Sequence, residues 1–130
     1  MATFRRVLVT IHCANMAGAE EFCGRILGLR ESCRFPMTGE PEHVEYSVGG
    51  TTPAIGSSAG LRAHGMPAAT PGHPFEIGID TDGVDAAVAS LRAAGVRILH
   101  EPAVSPAGIV HAHVADPDGT WISLDQKAGR

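Results

Sequence analysis

Apolar residues recur along the chain in patterns typical of short strands and amphipathic helices. Residues 7–11 are rich in β-branched side chains and predict a strand. Apolar positions within residues 16–27 follow helical spacing, with Asn15 placed to cap the helix and Gly28 to end it. The chain is therefore expected to begin with a strand followed by a helix.

The second half of the chain repeats this arrangement. Residues 75–80 alternate between apolar and polar or small positions, and Asp82 is predicted to cap a helix that ends at Gly95. The two predicted cap residues are separated by the same number of residues as the two terminating glycines, since 82 − 15 and 95 − 28 both equal 67. The equal offset predicts an internal duplication.

Three further strand-like segments follow each helix, so each half is predicted to be a β-α-β-β-β module. The segments cover residues 29–35, 43–48, 53–55, 96–99, 109–115 and 120–125. The modules span about residues 5–56 and 74–126 of a single domain covering residues 1–130. Residues 57–73 are rich in glycine and proline and form a predicted linker, and a loop of that length is more often functional or mobile than idle.

Strand alternation separates a core face from a polar face. The apolar alternates, Val7, Val9 and Ile11 in the first strand, are expected to face a helix. A face with many polar groups is unsuited to a dry core, so it lines either a pocket or an open surface, and two curving half-sheets favour the pocket. The predicted ligand-binding residues on that face are Thr10, His12, Glu76, Asp80, His111, His113, Trp121 and Ser123, with Asp125 beside them.

The turn at residues 116–119 decides which side chains share a face. Simple pairing across it would place Val114 opposite Trp121, whereas the apolar alternation requires the other phase. The sequence therefore predicts a one-residue bulge at or beside the turn, in which Asp116 and Asp118 are interpreted as turn formers.

Composition narrows the classes of partner. The net charge is −4 and no long basic run occurs, which argues against nucleic acid and anionic membranes. The apolar stretches are far shorter than the roughly 20 residues that span a bilayer, and no signal-peptide core follows the N-terminus, so a cytoplasmic protein is expected. Cys13, Cys23 and Cys33 form no Cys-x-x-Cys motif and are predicted to be reduced thiols, with Cys23 packed in the core.

These patterns resemble the vicinal oxygen chelate superfamily, which includes lactoylglutathione lyases, extradiol dioxygenases, and fosfomycin and bleomycin resistance proteins. The resemblance rests on residues 7–11, 19–29, 83–87 and 93–96 and, most specifically, on residues 115–124, where an Asp-Pro-Asp-Gly turn precedes the last strand. It implies an α+β fold in which two βαβββ modules build a mixed curved sheet, a half-barrel around a pocket. It also implies a homodimer.

Metal-dependent members of that superfamily carry His or Glu ligands on four strands. The resemblance assigns those positions here to Leu8, to Ala54 or Gly56, to Glu76 and to Ser123. A catalytic metal centre needs about three protein ligands, and only Glu76 can bind a divalent ion. The family metal site is therefore expected to be absent, and no cofactor is predicted.

A displaced site for one divalent metal ion is the alternative. His111 and His113 lie two residues apart on a strand and can point the same way, and Glu76 or Glu45 could complete a triad. The simpler interpretation is that both histidines contact pocket carboxylates, water or ligand. His43 is interpreted as structural or solvated.

The preferred function is a metal-free protein that sequesters or carries a small aromatic or cationic molecule, on which Trp121 could stack. The alternative is an enzyme, and no catalytic residue is assigned. It would be a metal-dependent lyase, isomerase or dioxygenase with a displaced His/Glu site, or a metal-free enzyme using Glu76 with His111 or His113 as acid and base. A purely structural module is least favoured, because a polar-lined face is a poor adhesive surface.

Overall fold

The computed structural model describes residues 2–3, 5–70 and 72–127. The chain divides into two compact units, Met1–Thr70 and Pro71–Arg130, each of which holds one four-stranded sheet. Within the described part of the chain, no helix has the length and apolar character needed to cross a membrane.

In the first unit, a mixed sheet has the strand order β1-β4-β3-β2. Strand β1 runs parallel to β4, while β3 is antiparallel to both β4 and β2. Helix α1 continues directly into a π-helical segment, and α2 follows β4. The elements are β1 (Val9–Cys13), α1 (Met16–Glu20, then π-helical Glu21–Ile26), β2 (Arg30–Phe35), β3 (His43–Ser47), β4 (Pro53–Ser57) and α2 (Ser58–Ala63).

The second unit has the same topology, with the strand order β5-β8-β7-β6. Strand β5 is parallel to β8, and β7 is antiparallel to β8 and β6. The elements are β5 (Ile77–Asp80), α3 (Val84–Ala93), β6 (Arg97–Val104), β7 (Ile109–Ala115) and β8 (Trp121–Lys127). The predicted pair of β-α-β-β-β modules and the α+β class are confirmed.

The first helix begins and ends as its sequence predicts. Asn15 Oδ1 accepts a hydrogen bond from the backbone N–H of Gly18 at 2.9 Å, which satisfies one of the free donors of the first turn. Gly28, at φ 69°, follows the helix in the left-handed region, as Gly95 at φ 85° does after α3. Ala19 and Phe22 are buried and attach the helix to the core of the unit.

The predicted Asp82 cap is wrong. Gly83 occupies the N-cap position of α3 with extended backbone, and no side-chain cap bond is made there. Instead, Gln126 Oε1 from β8 accepts from the Val84 N–H at 2.9 Å. The helix starts lie 68 residues apart (84 − 16), whereas the terminating glycines keep the predicted offset of 67.

The predicted core face of β1 is only partly correct. Ile11 is buried, but Val9 is 45% exposed, and Val7 precedes the strand and is 89% exposed.

The segment predicted as a linker, residues 57–73, contains helix α2. Ser57 Oγ caps the first turn of this helix by accepting a hydrogen bond from the Gly60 N–H at 3.0 Å. None of the three cysteines, which all lie in the described part of the chain, forms a disulfide, and Cys23 is only half-buried.

Candidate functional site

The turn between β7 and β8 sets the orientation of the candidate site. Gly119 N–H bonds to Asp116 O at 3.0 Å, and Gly119 adopts φ 87°, the left-handed conformation of the additional residue in a three-residue hairpin loop. Because of this extra residue, Val114 pairs with Ile122 and His113 pairs with Ser123 across the two strands. The predicted one-residue bulge is confirmed.

Asp116 stabilises the turn as predicted. Its Oδ1 accepts hydrogen bonds from the backbone N–H groups of Asp118 at 2.9 Å and Thr120 at 2.8 Å. Burial raises the pKa of the Asp116 carboxyl, and the two backbone donors partly oppose that rise. The carboxylate therefore holds the loop that fixes the register of the two strands.

The register places a continuous polar face on the second sheet. The apolar alternates of β7 and β8 are buried, namely Ala112, Val114, Ile122 and Leu124. The opposite alternates therefore share the other face, where Gly78 pairs with Ser123 and Asp80 with Asp125. A Cβ at Gly78 would lie 3.3 Å from Ser123 Oγ, so the glycine avoids a tight contact with that hydroxyl.

Glu76 and His113 form a pair of titratable side chains in contact on this polar face. Their Oε2 and Nε2 atoms are 3.0 Å apart, with the side chains 45% and 28% exposed respectively. A carboxylate oxygen that accepts this bond requires the imidazole to donate it from Nε2. Beside this pair, Ser123 Oγ donates to Asp125 Oδ2 at 3.2 Å.

His100 belongs to the same face and was missed by the sequence analysis. Its ring centroid lies 5.2 Å from that of His111, nearly parallel to it, and 6.4 Å from that of His113. The predicted strand ended at residue 99, whereas β6 continues to Val104 and changes register on both sides of His100. An irregular strand has no simple alternation, so the sequence gives no pattern that would reveal this residue.

Trp121 is covered on one face by a second missed residue, His73. The two rings stack with centroids 4.4 Å apart and an interplanar angle of 16°. The His73 Nε2 atom lies 3.1 Å from the Gly119 carbonyl oxygen and donates to it. Trp121 nevertheless stays 40% exposed, so part of its indole is open to solvent.

Thr10 and His12 lie in the first unit, where Thr10 is half-buried and His12 exposed. They line a cavity of about 380 Å³. The same unit contains Glu45, which the displaced metal triad would use. Arg6 and His43 donate hydrogen bonds to Glu45 at 2.8 and 3.0 Å, and they hold the pKa of its carboxyl below the usual range.

The chemistry of the metal-ligand positions does not fit the metal centre of the resembling superfamily. The side chains of Leu8 and of either Ala54 or Gly56 contain no atom that could bind a metal ion. The Ser123 hydroxyl donates a hydrogen bond to the Asp125 carboxylate. Glu76 alone supplies an ionisable ligand. Across residues 2–3, 5–70 and 72–127, no group of three or more His, Cys, Asp or Glu side chains is arranged to hold a metal ion.

Comparison with protein families identifies the class of this chain. Residues 6–124 match the model of the Glyoxalase/Bleomycin resistance protein/Dioxygenase superfamily. The chain therefore belongs to that superfamily, as its sequence motifs predicted. Comparison with curated proteins gives no match.

Solved structures of the superfamily share this fold at low sequence identity. A glyoxalase/bleomycin resistance protein/dioxygenase family enzyme from Burkholderia phytofirmans is 18% identical with a TM-score of 0.78, covering 92% of this chain and 95% of that one. TioX from Micromonospora sp. ML1 is 20% identical with a TM-score of 0.75, covering 95% and 98%. A lactoylglutathione lyase from Agrobacterium tumefaciens is 15% identical with a TM-score of 0.72, covering 93% and 92%. At these identities the likeness establishes the fold alone.

Proposed function

We propose that this protein binds a small organic molecule bearing an ammonium group and an aromatic ring, on the polar face of the second sheet and without a metal ion. The observation that carries the proposal is the set of carboxylates on that face, Glu76, Asp80 and Asp125, on the same side of the sheet as the exposed Trp121. Binding small molecules agrees with membership of the superfamily.

Charge supports a cationic ligand. Carboxylates accept charge-assisted hydrogen bonds from an ammonium group, which are roughly twice as strong as neutral ones. An indole is also the best aromatic surface for a cation or for a stacked ring. Trp121 would therefore hold the aromatic part of the ligand while the carboxylates hold its charge.

A matched pair of probes tests the proposed charge preference. Titrations of ¹⁵N-labelled protein with 2-phenylethylamine and with phenylacetate compare the same ring with opposite charges. We expect the amine to shift signals of the polar face and to bind more tightly than the acid. Glu76→Gln and Trp121→Ala should weaken that binding, whereas Glu101→Gln should not, because Glu101 pairs with Arg92 on the surface.

Tighter binding of phenylacetate, or an affinity for 2-phenylethylamine that neither site substitution changes, would contradict the proposal.

The metal content of the protein tests whether the site works without a metal ion. Protein purified without chelators should contain close to zero equivalents of zinc, nickel, manganese or iron by elemental mass spectrometry, and should stay so after metal addition and dialysis. One equivalent per chain would overturn the metal-free assignment.

The contact between Glu76 and His113 favours acid–base catalysis as a second candidate function. A histidine held by a carboxylate can remove a proton from a bound carbon acid through its free Nδ1 atom, if that atom comes within hydrogen-bond reach. Once a ligand is found, ¹H NMR in D₂O measures whether its C–H protons exchange. Exchange lost in His113→Ala would support an enzyme, and its absence in the wild type would support a binding protein.

Assembly as a homodimer, which the family resemblance implies, stays a prediction. Light scattering coupled to size-exclusion chromatography measures the mass directly, against 13.5 kDa for one chain.

A further inference from the structure

The second unit contains two Asp-Gly dipeptides, Asp82 with Gly83 and Asp118 with Gly119. In this dipeptide the aspartate side chain is readily attacked by the following amide nitrogen, because glycine has no side chain to hinder the approach. Both aspartates are exposed and both glycines are half-buried, so access to solvent does not distinguish the two sites. They differ in what binds the N–H group of the glycine.

Gly119 is held firmly on both sides. Its N–H donates to Asp116 O at 3.0 Å, and the neighbouring N–H groups of Asp118 and Thr120 donate to Asp116 Oδ1 at 2.9 and 2.8 Å. His73 Nε2 donates to the Gly119 carbonyl oxygen at 3.1 Å. Asp116 is only 8% exposed, so water competes little for the bonds that it accepts.

Gly83 is held loosely. It belongs to the three residues between β5, which ends at Asp80, and α3, which begins at Val84. The Gly83 N–H donates to Thr81 Oγ1 at 3.3 Å, beyond the usual range of about 2.7–3.2 Å for an N–H···O bond. The Gly83 backbone is extended, at φ −156°, so no tight turn fixes the position of its nitrogen.

The reaction open to such a dipeptide is isomerisation through a succinimide. The Gly83 nitrogen attacks Cγ of the protonated Asp82 carboxyl, the N–Cγ bond forms, and the hydroxyl leaves with the amide hydrogen as water. Water then opens the ring. If it breaks the bond between the nitrogen and the main-chain carbonyl carbon, the chain continues through Cγ as isoaspartate, whereas breaking the N–Cγ bond restores aspartate. Water is lost and regained, so the mass does not change and no other reactant is needed.

We propose that Asp82 is a site of spontaneous isoaspartate formation and that Asp116 protects Asp118 from the same reaction. Ring closure at Asp118 requires rotation about its Cα–C bond, which breaks the Gly119 hydrogen bond and disturbs the two bonds to Asp116 Oδ1. At Asp82 the same rotation breaks only the long contact with Thr81. Because the loss of several hydrogen bonds at once slows a reaction about ten-fold or more, Asp82 should react at least about ten-fold faster.

An isoaspartate at position 82 changes the spacing between β5 and α3, because its Cβ atom becomes part of the main chain. On one side of the inserted atom, the Thr81 N–H donates to Asp125 O at 3.0 Å, and on the other side the Val84 N–H donates to Gln126 Oε1 at 2.9 Å. The longer chain no longer fits both bonds, so the modified protein should melt at a lower temperature. The inference does not rest on the ligand-binding function proposed above, since the reaction is measured without a ligand.

Peptide mapping of aged protein tests the proposal. Full-length protein is incubated at mildly acidic pH and physiological temperature, and then digested with trypsin beside an unaged sample. The two dipeptides fall in separate tryptic peptides, residues 63–92 and 98–127. Electron-transfer fragmentation distinguishes isoaspartate from aspartate in each peptide. We expect at least about ten-fold more isoaspartate at position 82 than at position 118.

The Gly83→Ala variant should stop the reaction at Asp82 without disturbing the fold. A Cβ at Gly83 would meet nothing closer than Ala86 Cβ at 3.9 Å, and the extended backbone suits alanine. The added methyl group hinders attack by the nitrogen, so isoaspartate at position 82 should fall about ten-fold or more.

Substitutions of Asp116 test its protective role. Asp116→Ala removes the acceptor of two loop N–H groups and should raise isoaspartate at position 118 about ten-fold, whereas Asp116→Asn retains an oxygen acceptor and should keep Asp118 protected. Asn15→Ala is the control for a general loss of stability, because it removes the cap of α1 in the other unit and should leave the rate at Asp118 unchanged.

Equal amounts of isoaspartate at the two positions, or more at position 118, would overturn the proposal, and this comparison needs no variant. So would the absence of isoaspartate at position 82 under conditions in which a synthetic peptide of residues 78–87 isomerises. An unchanged rate at Asp118 in Asp116→Ala, or an equal rise in Asn15→Ala, would overturn the role assigned to Asp116.

Discussion

Removing the imidazole of His73 should uncover Trp121 and strengthen ligand binding in the second unit. The stacked pair contributes about 0.5–1.5 kcal/mol, and the hydrogen bond from His73 to the Gly119 carbonyl contributes a similar amount. A ligand that stacks on the same face of the indole must first displace His73. Because both side chains are partly solvated, the lower ends of these ranges apply, and His73→Ala should raise affinity by about 1 kcal/mol, or about five-fold.

The single tryptophan of the chain reports this change directly. In His73→Ala, the emission of Trp121 should shift to longer wavelength, acrylamide should quench it more strongly, and 2-phenylethylamine should bind more tightly. His64→Ala, a substitution of a hydrogen-bonded histidine in the first unit, is the control and should leave emission unchanged. An unaltered emission maximum and quenching constant in His73→Ala would refute the stacked arrangement, and weaker binding would refute the competition.

Three further predictions concern the stability of the fold. Glu45→Gln should lower the free energy of unfolding by up to about 1 kcal/mol near neutral pH. Because Arg6 and His43 lower the pKa of Glu45 in the folded protein, this difference from wild type should disappear as the pH falls below 4.5, the ordinary pKa of the carboxyl. Urea unfolding at neutral and at acidic pH measures it. Gly119→Ala should lower the free energy of unfolding by about 1–2 kcal/mol, because a φ of 87° is unfavourable for a residue with a Cβ. Gly119→Asn should lower it less in the same assay, since asparagine tolerates this conformation better. Asn15→Ala removes the cap of α1 and should lower stability by about 1 kcal/mol, whereas an unchanged melting temperature would contradict the capping role.

The elements predicted from sequence are those whose determinants are local. The caps and ends of α1 depend on Asn15 and Gly28, which act within a few residues of where they stand. The register between β7 and β8 was also predictable, because the alternation of apolar residues on both sides of the turn is consistent with only one pairing phase. That phase correctly placed His111 and His113 opposite the core.

The misses have non-local causes. Asp82 has a good capping side chain, yet Gln126, distant in sequence, takes the N–H that a cap would satisfy. His100 reaches the polar face through irregular pairing in β6, and His73 reaches Trp121 from a segment without periodicity. Each depends on a tertiary contact, which apolar patterns do not encode.

The two units share a strand topology and differ in the side chains on their polar faces. An offset of 68 residues relates Thr10 to Gly78 and His12 to Asp80, which occupy equivalent places on β1 and β5 (78 − 10 and 80 − 12). In the first unit, Gly56 on β4 lies between His12 and His43. In the second unit, Gly78 on β5 lies beside Ser123, on the face that carries the carboxylates. Because the core faces fix the strands, the polar faces can differ without disturbing the fold, and the two units present polar faces of different composition.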